Sequence, residues 1–397
     1  MAPPLVGDEK RRRIILYVLN EAYFFLSHRI QLAEKALEAG FDVHMAAPAD
    51  HAWAPAGFNI AEIESRGIRC HAISLSRRGQ NPFQELKSIF SIWLLIRRTK
   101  PDLIHFLTIK PILYGGLITR MTGHAAVFGL TGLGYVFSAR GLLAQIRCAV
   151  VEGLMRIVFG APRSRVIVQN HGDWRLLVDR AIVDRDSVYV IVGSGVDLGV
   201  FSYAPVVQKG DRRVVTLAGR LIWDKGVREF VEAARIVRRR LPNIEFRLVG
   251  DTKPENPRSV PIEQLKAWAD EGVVKWEGHR SDMVQVLHEA DIVCLPTLYA
   301  EGVPKVLLEA AACGRCIVAS DTPGCREVVT PDVNGLLIAP GDVPSLVGAL
   351  EQLLGDTERC VQMGREGARL ANDSFGSDTV VAETIALYDT LLRPGTN

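Results

Sequence analysis

The sequence predicts an α/β protein with two Rossmann-like domains, whose parallel sheets face each other across a cleft. Three observations support this prediction. Short apolar runs alternate with helical patterns along the chain, as they do in the strand–helix–strand units of parallel sheets. The alternation breaks once, between residues 198 and 212. The chain has 397 residues, a length that is long for one domain and typical of two.

The first half begins with the strand RIILYVL, followed by a helix that Gly40 closes. Further apolar runs of strand length follow, and segments with helical periodicity separate them. The predicted strands of this half are 13–19, 41–48, 70–75, 102–107, 125–130, 165–169 and 188–192. Its predicted helices are 24–40, 86–98 and 111–121.

The second half follows a polar stretch with Pro205 and Gly210, which we interpret as a linker. Its predicted strands are 214–219, 244–250, 273–278, 291–297 and 316–320, and its predicted helices include 227–241, 304–313 and 379–394. We therefore expect an N-terminal domain over residues 1–205 and a C-terminal domain over 206–375. The helix in the last segment, 376–397, could pack back on the N-terminal domain. Open sheets of this kind bind ligands at the carboxyl ends of their strands.

The composition is that of a globular protein, with 48% hydrophobic and 23% charged residues. A net charge of +2 gives no argument for nucleic-acid binding. The seven cysteines are an odd number in a long chain, which indicates reduced thiols rather than a disulfide framework. No apolar stretch approaches the ~18 residues of a spanning helix, and no signal peptide is evident. We expect a cytoplasmic protein, either soluble or peripheral on the cytoplasmic face of the membrane.

The segment LYAEGVPKVLLEAAACG places Glu301 just before a predicted helix and Glu309 inside it. Proline suits a helix start and glycine a helix end, so the helix runs between Pro304 and Gly314. Its first residues offer free N–H groups and the positive end of the helix dipole to an anion, and carboxylates accept hydrogen bonds from sugar hydroxyls. The candidate binding residues here also include Gly302, Val303 and Lys305. Two solvated glutamates on a surface helix are the alternative.

A second loop carries a pair of cations. Gly219 and Arg220 follow the strand VVTLA, and Lys225 and Gly226 precede the next helix. An arginine fork matches phosphate oxygens, and a lysine adds a point charge, so the pair could neutralise a diphosphate. An ordinary basic loop with Asp224 as the partner is the alternative. Both loops leave strand ends of one domain and could face the same crevice.

Together these motifs resemble a known family. GRLIWDKG, followed by EGVPKVLLEAAACG, is similar to the donor-binding half of the retaining glycosyltransferases of family 4, which have the GT-B fold. GSGVDLGVF also resembles this family. FFLSHRIQLA, DLIHFLTIKPILYGG and FGLTGLGYVFS resemble its branch that builds bacterial capsule, O-antigen and other lipid-linked glycans.

The resemblance implies metal-independent transfer of a hexose or N-acetylhexosamine, with retained anomeric configuration and no cofactor. The donor would be a nucleotide diphosphate sugar, with UDP preferred by family habit, bound by the C-terminal domain. The acceptor would be a polyprenyl-diphosphate-linked or other glycan on the N-terminal domain. The family's residue roles, applied to the matching positions, imply that Glu301 contacts the hexose and Glu309 holds the ribose. They also imply that Arg220 and Lys225 stabilise the diphosphate.

The first strand-to-helix turn departs from the family pattern. Asn20 and Glu21 stand where many relatives have a glycine-rich loop, so this turn lacks the glycines with which those relatives contact the donor phosphate, although both residues could line the cleft. The missing glycines also argue against a dinucleotide-binding dehydrogenase. His105 is a candidate near the acceptor or a buried core histidine. His279 and Arg280 are candidates near the nucleotide base or exposed loop residues.

Other patterns remain open or favour no site. Asp184-Arg185-Asp186 matches a metal motif, but we interpret it as a solvated turn. Cys313 and Cys316 form a lone CxxC without a second pair at zinc spacing. The helix FQELKSIFSIWLLIRRTK and the stretch GLLAQIRCAVVEGLMRIVFGAPRSR are apolar with arginines, so they either contact a membrane surface or pack on the core. A sugar-nucleotide epimerase and a non-catalytic nucleotide-sugar-binding protein are the alternative functions.

Overall fold

The structure is a computed structural model that describes residues 11–50, 54, 57–75, 81–137, 141–206, 210, 212–253 and 256–393. Residues 207–209 and 211 of the predicted linker, and the chain ends 1–10 and 394–397, lie outside the described residues. Within the described part, helices cover both faces of two parallel β-sheets.

The first sheet has seven strands among the described residues, in the order β3-β2-β1-β4-β5-β6-β7. Its strands are β1 (Ile14–Val18), β2 (Asp42–Ala47), β3 (Arg69–Ala72), β4 (Leu103–Leu107), β5 (Ala125–Gly129), β6 (Ser164–Val168) and β7 (Val188–Val190). The helices of this half are α1 (Ala22–His28), α2 (Ile30–Glu38), α3 (Ala61–Glu64), α4 (Pro82–Thr99), α5 (Ile109–Thr122), α6 (Gly134–Phe137), α7 (Leu142–Phe159) and α8 (His171–Asp179).

The second sheet has six strands in the described part of the chain, in the order β10-β9-β8-β11-β12-β13. They are β8 (Arg213–Ala218), β9 (Ile244–Val249), β10 (Lys275–Trp276), β11 (Ile292–Leu295), β12 (Cys316–Ser320) and β13 (Gly335–Ile338). The accompanying helices are α9 (Val227–Arg240), α10 (Ile262–Asp270), α11 (Met283–Glu289), α12 (Lys305–Ala312), α13 (Pro323–Arg326), α14 (Val343–Gly355), α15 (Thr357–Leu370) and α16 (Ser377–Leu392).

The central strands are buried on both faces, which explains their continuous apolar sequences. Every residue of β4, β5, β11 and β12 is buried, as expected for parallel strands with helices on either side. In the first sheet, side chains of alternate residues enter two separate apolar clusters, one under α2 and α16 and one under α4, α5 and α7. Helices therefore pack on both faces of the first sheet.

The prediction of a single helix over 24–40 is wrong, because the helix is interrupted at Arg29. Arg29 has φ −131° and ψ −2°, and it separates α1 from α2. The Ser27 hydroxyl donates to the carbonyl of Tyr23 at 2.8 Å, a local bond that competes with helix continuation and bends helices. The break buries Arg29 and leaves His28 half-buried at the end of α1.

The last helix, α16, crosses back from the second sheet to the first. Its side chains Val380, Val381, Leu387 and Leu391 join the apolar cluster of the first sheet. Tyr388 is fully buried there, and its hydroxyl lies 2.6 Å from Nδ1 of His105 and 3.2 Å from the hydroxyl of Tyr17. The register pairs Tyr17 with His105 on neighbouring strands, so α16 closes a polar cluster inside this core.

Replacing Tyr388 tests the packing of α16 on the first sheet. Tyr388→Phe removes the hydroxyl that partners His105, and we expect a loss of about 1–2 kcal/mol of unfolding free energy. Tyr388→Ala adds a cavity and should cost about 4 kcal/mol. Thermal unfolding measures both, with Glu383→Gln on the exposed side of the same helix as the control. Equal midpoints for Tyr388→Ala and the control would contradict this packing.

Candidate functional site

The candidate site lies at the carboxyl ends of β8 and β11, which are neighbours in the second sheet. The loop after β8 carries Lys225 in a short 3-10 turn, and the loop after β11 carries Glu301. Lys225 Nζ forms an ion pair with Glu301 Oε2, and each side chain is only 13% exposed. The structure therefore joins the two motifs that sequence alone could only place on the same edge of the sheet.

Backbone contacts hold these two loops together. The carbonyl of Asp224 accepts hydrogen bonds from the amide of Leu298 at 2.8 Å and from the hydroxyl of Thr297 at 3.0 Å. Gly226 ends the turn with φ +72°, and a Cβ at this position would collide with the carbonyl of Pro296. A left-handed conformation and this close approach both require glycine.

The ion pair keeps Lys225 charged. Burial by itself would lower the pKa of Lys225, but the carboxylate of Glu301, with a smaller effect from Tyr299, outweighs it and raises the pKa above its ordinary value. A buried cation therefore stands at the edge of the sheet with one carboxylate as partner. Arg220, on the same loop, is exposed, and it has no carboxylate within 4.0 Å among the described residues.

The second glutamate lies in α12 and faces a lysine of the same helix. Glu309 is 8% exposed, and its Oε1 lies 3.5 Å from Nζ of Lys305. Burial raises the pKa of Glu309, and the nearby Lys305 opposes this effect. Pro304 caps the helix and Gly314 follows it with φ +74°, so the two residues end α12 close to where the sequence predicts.

The N-terminal domain contacts this site directly. Lys305 Nζ donates to the carbonyl of Ser27 at 3.0 Å, and the amide of Val303 donates to Oε1 of Gln169 at 3.1 Å. A Cβ on Gly302 would collide with Gln169 and with the carbonyl of Thr131. The glycine at 302 is thus required by close approach of the two domains at the site.

His28 follows Ser27, whose carbonyl binds Lys305, and therefore lies beside the site. The Ser27 hydroxyl donates a hydrogen bond to the Tyr23 carbonyl. The Ser27 oxygen therefore accepts a hydrogen bond from Nδ1–H of His28 at 2.7 Å. The ring stacks on Phe24 with centroids 4.5 Å apart. Burial lowers the pKa of His28 to about 3, and the charges of Lys305, Arg29 and Arg220 add to this effect. A neutral imidazole with Nε2 as its acceptor stands beside the cations.

Two of the other candidates follow β1 at the edge that faces the site. Glu21 is buried at the start of α1, and Asn20 is half-buried before it.

Sequence reasoning did not identify Gln169 or His28 as neighbours of the site. The only sequence signal for His28 was its place in the segment FFLSHR, since the helix break that positions it was not predicted.

His105 lies in a different environment from the one its sequence position indicated. It is the third residue of β4, 2% exposed, between Tyr17 and Tyr388. Burial lowers the pKa of His105 well below its ordinary value, and Arg29 adds to the effect. This geometry corresponds to the alternative of a buried core histidine.

His279 and Arg280 lie after β10, at the outer edge of the second sheet. Arg280 bonds Asp282 at 2.7 and 2.6 Å and Glu277 at 2.7 Å, and His279 is exposed. Asp184 precedes a surface 3-10 turn, Arg185–Ser187, and Asp186 lies within it, just before β7. Among the described residues, no group of three or more His, Cys, Asp or Glu side chains could hold a metal ion.

Comparison with known proteins gives two family matches. The family described as "Glycosyl transferase 4-like" matches residues 14–157, and "Glycosyl transferases group 1" matches residues 212–356. The chain is 26% identical over 346 residues to the N,N'-diacetylbacillosaminyl-diphospho-undecaprenol alpha-1,3-N-acetylgalactosaminyltransferase of Campylobacter jejuni, covering 84% of this chain and 88% of the relative.

A second relative and a solved structure extend the comparison. The chain is 27% identical over 305 residues to the UDP-Gal:alpha-D-GlcNAc-diphosphoundecaprenol alpha-1,3-galactosyltransferase of Escherichia coli, covering 73% of this chain and 76% of the relative. Sucrose-phosphate synthase from Thermosynechococcus elongatus superimposes with a TM-score of 0.77 at 19% identity, over 96% of this chain and 99% of that one. The predicted GT-B fold is confirmed.

The Lys225–Glu301 pair predicts strong coupling between two substitutions. Lys225→Met or Glu301→Gln alone leaves a buried charge without its partner, and we expect each to cost about 3 kcal/mol of unfolding free energy. The double variant should cost clearly less than the sum, because both charges are gone. Urea unfolding of the four proteins without ligand measures this, and additive effects would contradict a coupled buried pair.

The neutral state of His28 predicts a pH effect on stability. Between its folded pKa of about 3 and an ordinary unfolded value, the unfolded chain binds a proton that the folded protein excludes. The free energy of unfolding therefore falls as pH decreases, by about 2 kcal/mol from this group between pH 7.5 and 5. His28→Gln should remove this part of the slope in chemical denaturation at each pH. An unchanged slope would contradict the assignment.

Proposed function

Because the chain belongs to the glycosyltransferases of family 4, we propose that it transfers a hexose or N-acetylhexosamine from a UDP-sugar to a polyprenyl-diphosphate-linked glycan. The transfer retains the anomeric configuration and needs no metal. Two curated relatives with good coverage act on undecaprenol-diphosphate-linked acceptors by name, and one of them uses UDP-galactose. We assign the reaction to bacterial surface polysaccharide synthesis, the process named for a further relative.

The observation that carries the proposal is the meeting of Lys225 with Glu301, beside the start of the helix that holds Glu309. This edge of the second sheet brings two carboxylates and two loop cations to one place. Carboxylates accept hydrogen bonds from vicinal hydroxyls, and the cations and helix N–H groups attract phosphate. A nucleotide diphosphate sugar presents all of these groups in one molecule.

The charges of the site fit a diphosphate leaving group. Lys225 and Lys305 each face a glutamate, whereas Arg220 is exposed on the same loop as Lys225. As the bond from the anomeric carbon to the phosphate oxygen breaks, negative charge grows on the diphosphate. Arg220 and Lys225 stabilise that charge where it forms. We assign neutralisation to these side chains and therefore no metal to the donor.

The two glutamates have separate roles in the proposal. Glu309, in the second turn of α12, holds the ribose hydroxyls, and Lys305 lies 3.5 Å from its carboxylate. Glu301, in the loop before the helix, contacts the hydroxyls of the transferred sugar. Gly219 and the backbone of residues 302–304 line the same pocket. His279 and Arg280, farther out along the edge, lie on the side of the nucleotide base.

Retention follows from a reaction on one face of the sugar. Glu301 is engaged by Lys225 and Glu309 by Lys305, so neither is assigned as a nucleophile. The acceptor hydroxyl attacks from the side of the departing diphosphate, whose oxygen takes the hydroxyl proton. In support, UDP-galactose carries its sugar through an α linkage, and the E. coli relative is named for an alpha-1,3 product.

The N-terminal domain provides the acceptor side. We assign residues 1–205 to acceptor binding and 206–375 to donor binding, with 376–397 returning to the first domain. Asn20 and Glu21 line the acceptor side of the cleft, and His105 acts from within the core by positioning β4 against α16. Since the acceptor is a membrane lipid, we place the enzyme peripherally at the cytoplasmic membrane face.

A thermal-shift panel of UDP, GDP, ADP and their sugar conjugates tests the donor site. We expect UDP at about 100 times its Kd to stabilise the protein by about 2.7 kcal/mol, seen as a rise of several degrees in unfolding midpoint. Glu309→Ala should lose this rise, because the ribose contact is gone. Glu358→Ala, an exposed glutamate at the start of α15, is the control and should keep it. An equal UDP shift in both variants would sink the site assignment.

A further inference from the structure

Helix α4 exposes a stripe of large apolar side chains to solvent. Phe83 is 81% exposed, Leu86 62%, Phe90 57% and Trp93 37%. Spacings of three and four residues place them on one face of the helix. The opposite face, with Ile92 and Ile96, is buried in the core of the first sheet. The helix is therefore apolar on both sides, and its outer side has no partner in the described structure.

Helices α5 and α7 extend this outer face. Met121 at the end of α5 is 87% exposed, and on α7 Ile146 is 53%, Val150 57% and Ile157 48% exposed. The inner sides of α4, α5 and α7 enter the same apolar cluster of the first sheet, so their outer sides point the same way. Exposed apolar residues concentrated on one face mark an interaction surface.

The same three helices carry an excess of positive charge. Together α4, α5 and α7 contain seven Lys or Arg residues and two Glu residues, whereas the whole chain has a net charge of only +2. Both glutamates pair with cations of these same helices, Glu85 with Lys110 at 2.7 Å and Glu152 with Arg156 at 2.5 Å, and Glu152 also pairs with Arg180 at 3.2 Å. Seven cations less two glutamates leave a net excess of five positive charges on the three helices. The outer face is thus both apolar and basic.

We propose that this α4–α5–α7 face docks on an anionic lipid bilayer, an inference that rests on the proposed function and names the surface which brings the enzyme to its lipid-linked acceptor. Aromatic side chains between lysines and arginines suit the boundary of headgroups and acyl chains, and anionic lipids attract the cations. A second copy of the chain would bring the same positive charge against itself, which opposes association through this face.

The direction of α4 connects the surface to the cleft. The helix follows β3 and starts at the carboxyl edge of the first sheet, where the acceptor side of the cleft lies. Phe83 stands in the first turn of this 18-residue helix, and Arg97 and Arg98 stand at its far end, about 22 Å from Phe83. The apolar stripe thus begins at the rim of the cleft. A polyprenyl chain held in the bilayer would reach the cleft from this rim.

Vesicle flotation tests this surface on the full-length protein. We expect binding to vesicles of phosphatidylcholine with phosphatidylglycerol, weaker binding to phosphatidylcholine alone, and a decrease with added salt. The double variant Phe83→Ser/Phe90→Ser should lose at least tenfold in vesicle partition. Val200→Ser/Val333→Ser, which changes two exposed valines outside this face, should bind like wild type. The charge variant Lys87→Glu/Arg98→Glu should lose about fivefold per residue on anionic vesicles.

The UDP-induced shift and the oligomeric state separate membrane docking from failure of the proposed function and from self-association. The variants should keep the wild-type unfolding midpoint and the UDP-induced shift, because the substituted side chains are exposed and lie outside the donor site. If Phe83→Ser/Phe90→Ser loses vesicle binding but UDP does not stabilise the wild-type protein, the proposed function is refuted and the docking surface is supported. Wild type that floats with neither vesicle would overturn the docking proposal. A wild-type dimer that Phe83→Ser/Phe90→Ser makes monomeric would also overturn it, in favour of self-association.

Discussion

The ion pair between Lys225 and Glu301 is the constraint on which the rest of the site depends. It joins loops from two neighbouring strands whose residues are far apart in sequence. A buried charge pair is costly to desolvate and stabilises little by itself, so its presence at the carboxyl edge of a sheet points to function. The carbonyl of Asp224 and the glycine at 226 hold the loops so that the pair can form.

The contacts across the cleft are polar and short, which makes the relation between the domains part of the site. Lys305 donates a hydrogen bond to the carbonyl of Ser27, and Oε1 of Gln169 accepts one from the amide of Val303. These bonds bring the end of α1 and its neutral His28 next to the start of α12. Helix α16 adds a second link, since it leaves the second sheet and fills the core of the first. The two domains are therefore joined at the cleft and behind it.

Sequence periodicity predicted most strands, because parallel strands buried on both faces are continuous apolar runs. The ends of α12 could be predicted because proline favours the start of a helix and glycine its left-handed end. Features that depend on distant contacts could not be predicted from the sequence. No glycine or proline marks the interruption between α1 and α2 at Arg29, and β13 is a short strand defined by its pairing with β12. The burial of His105 depends on Tyr388, a residue near the other end of the chain.

The most direct test of the account follows the anomeric carbon of a 13C-labelled UDP-sugar by NMR, with and without a polyprenyl-diphosphate-linked sugar acceptor. We predict a new α-glycosidic signal and release of UDP only when the acceptor is present, and loss of both in Lys225→Ala. A β-linked product would contradict the retaining reaction at this site. Conversion of the donor sugar without acceptor, at the same rate in wild type and Lys225→Ala, would contradict the account as a whole.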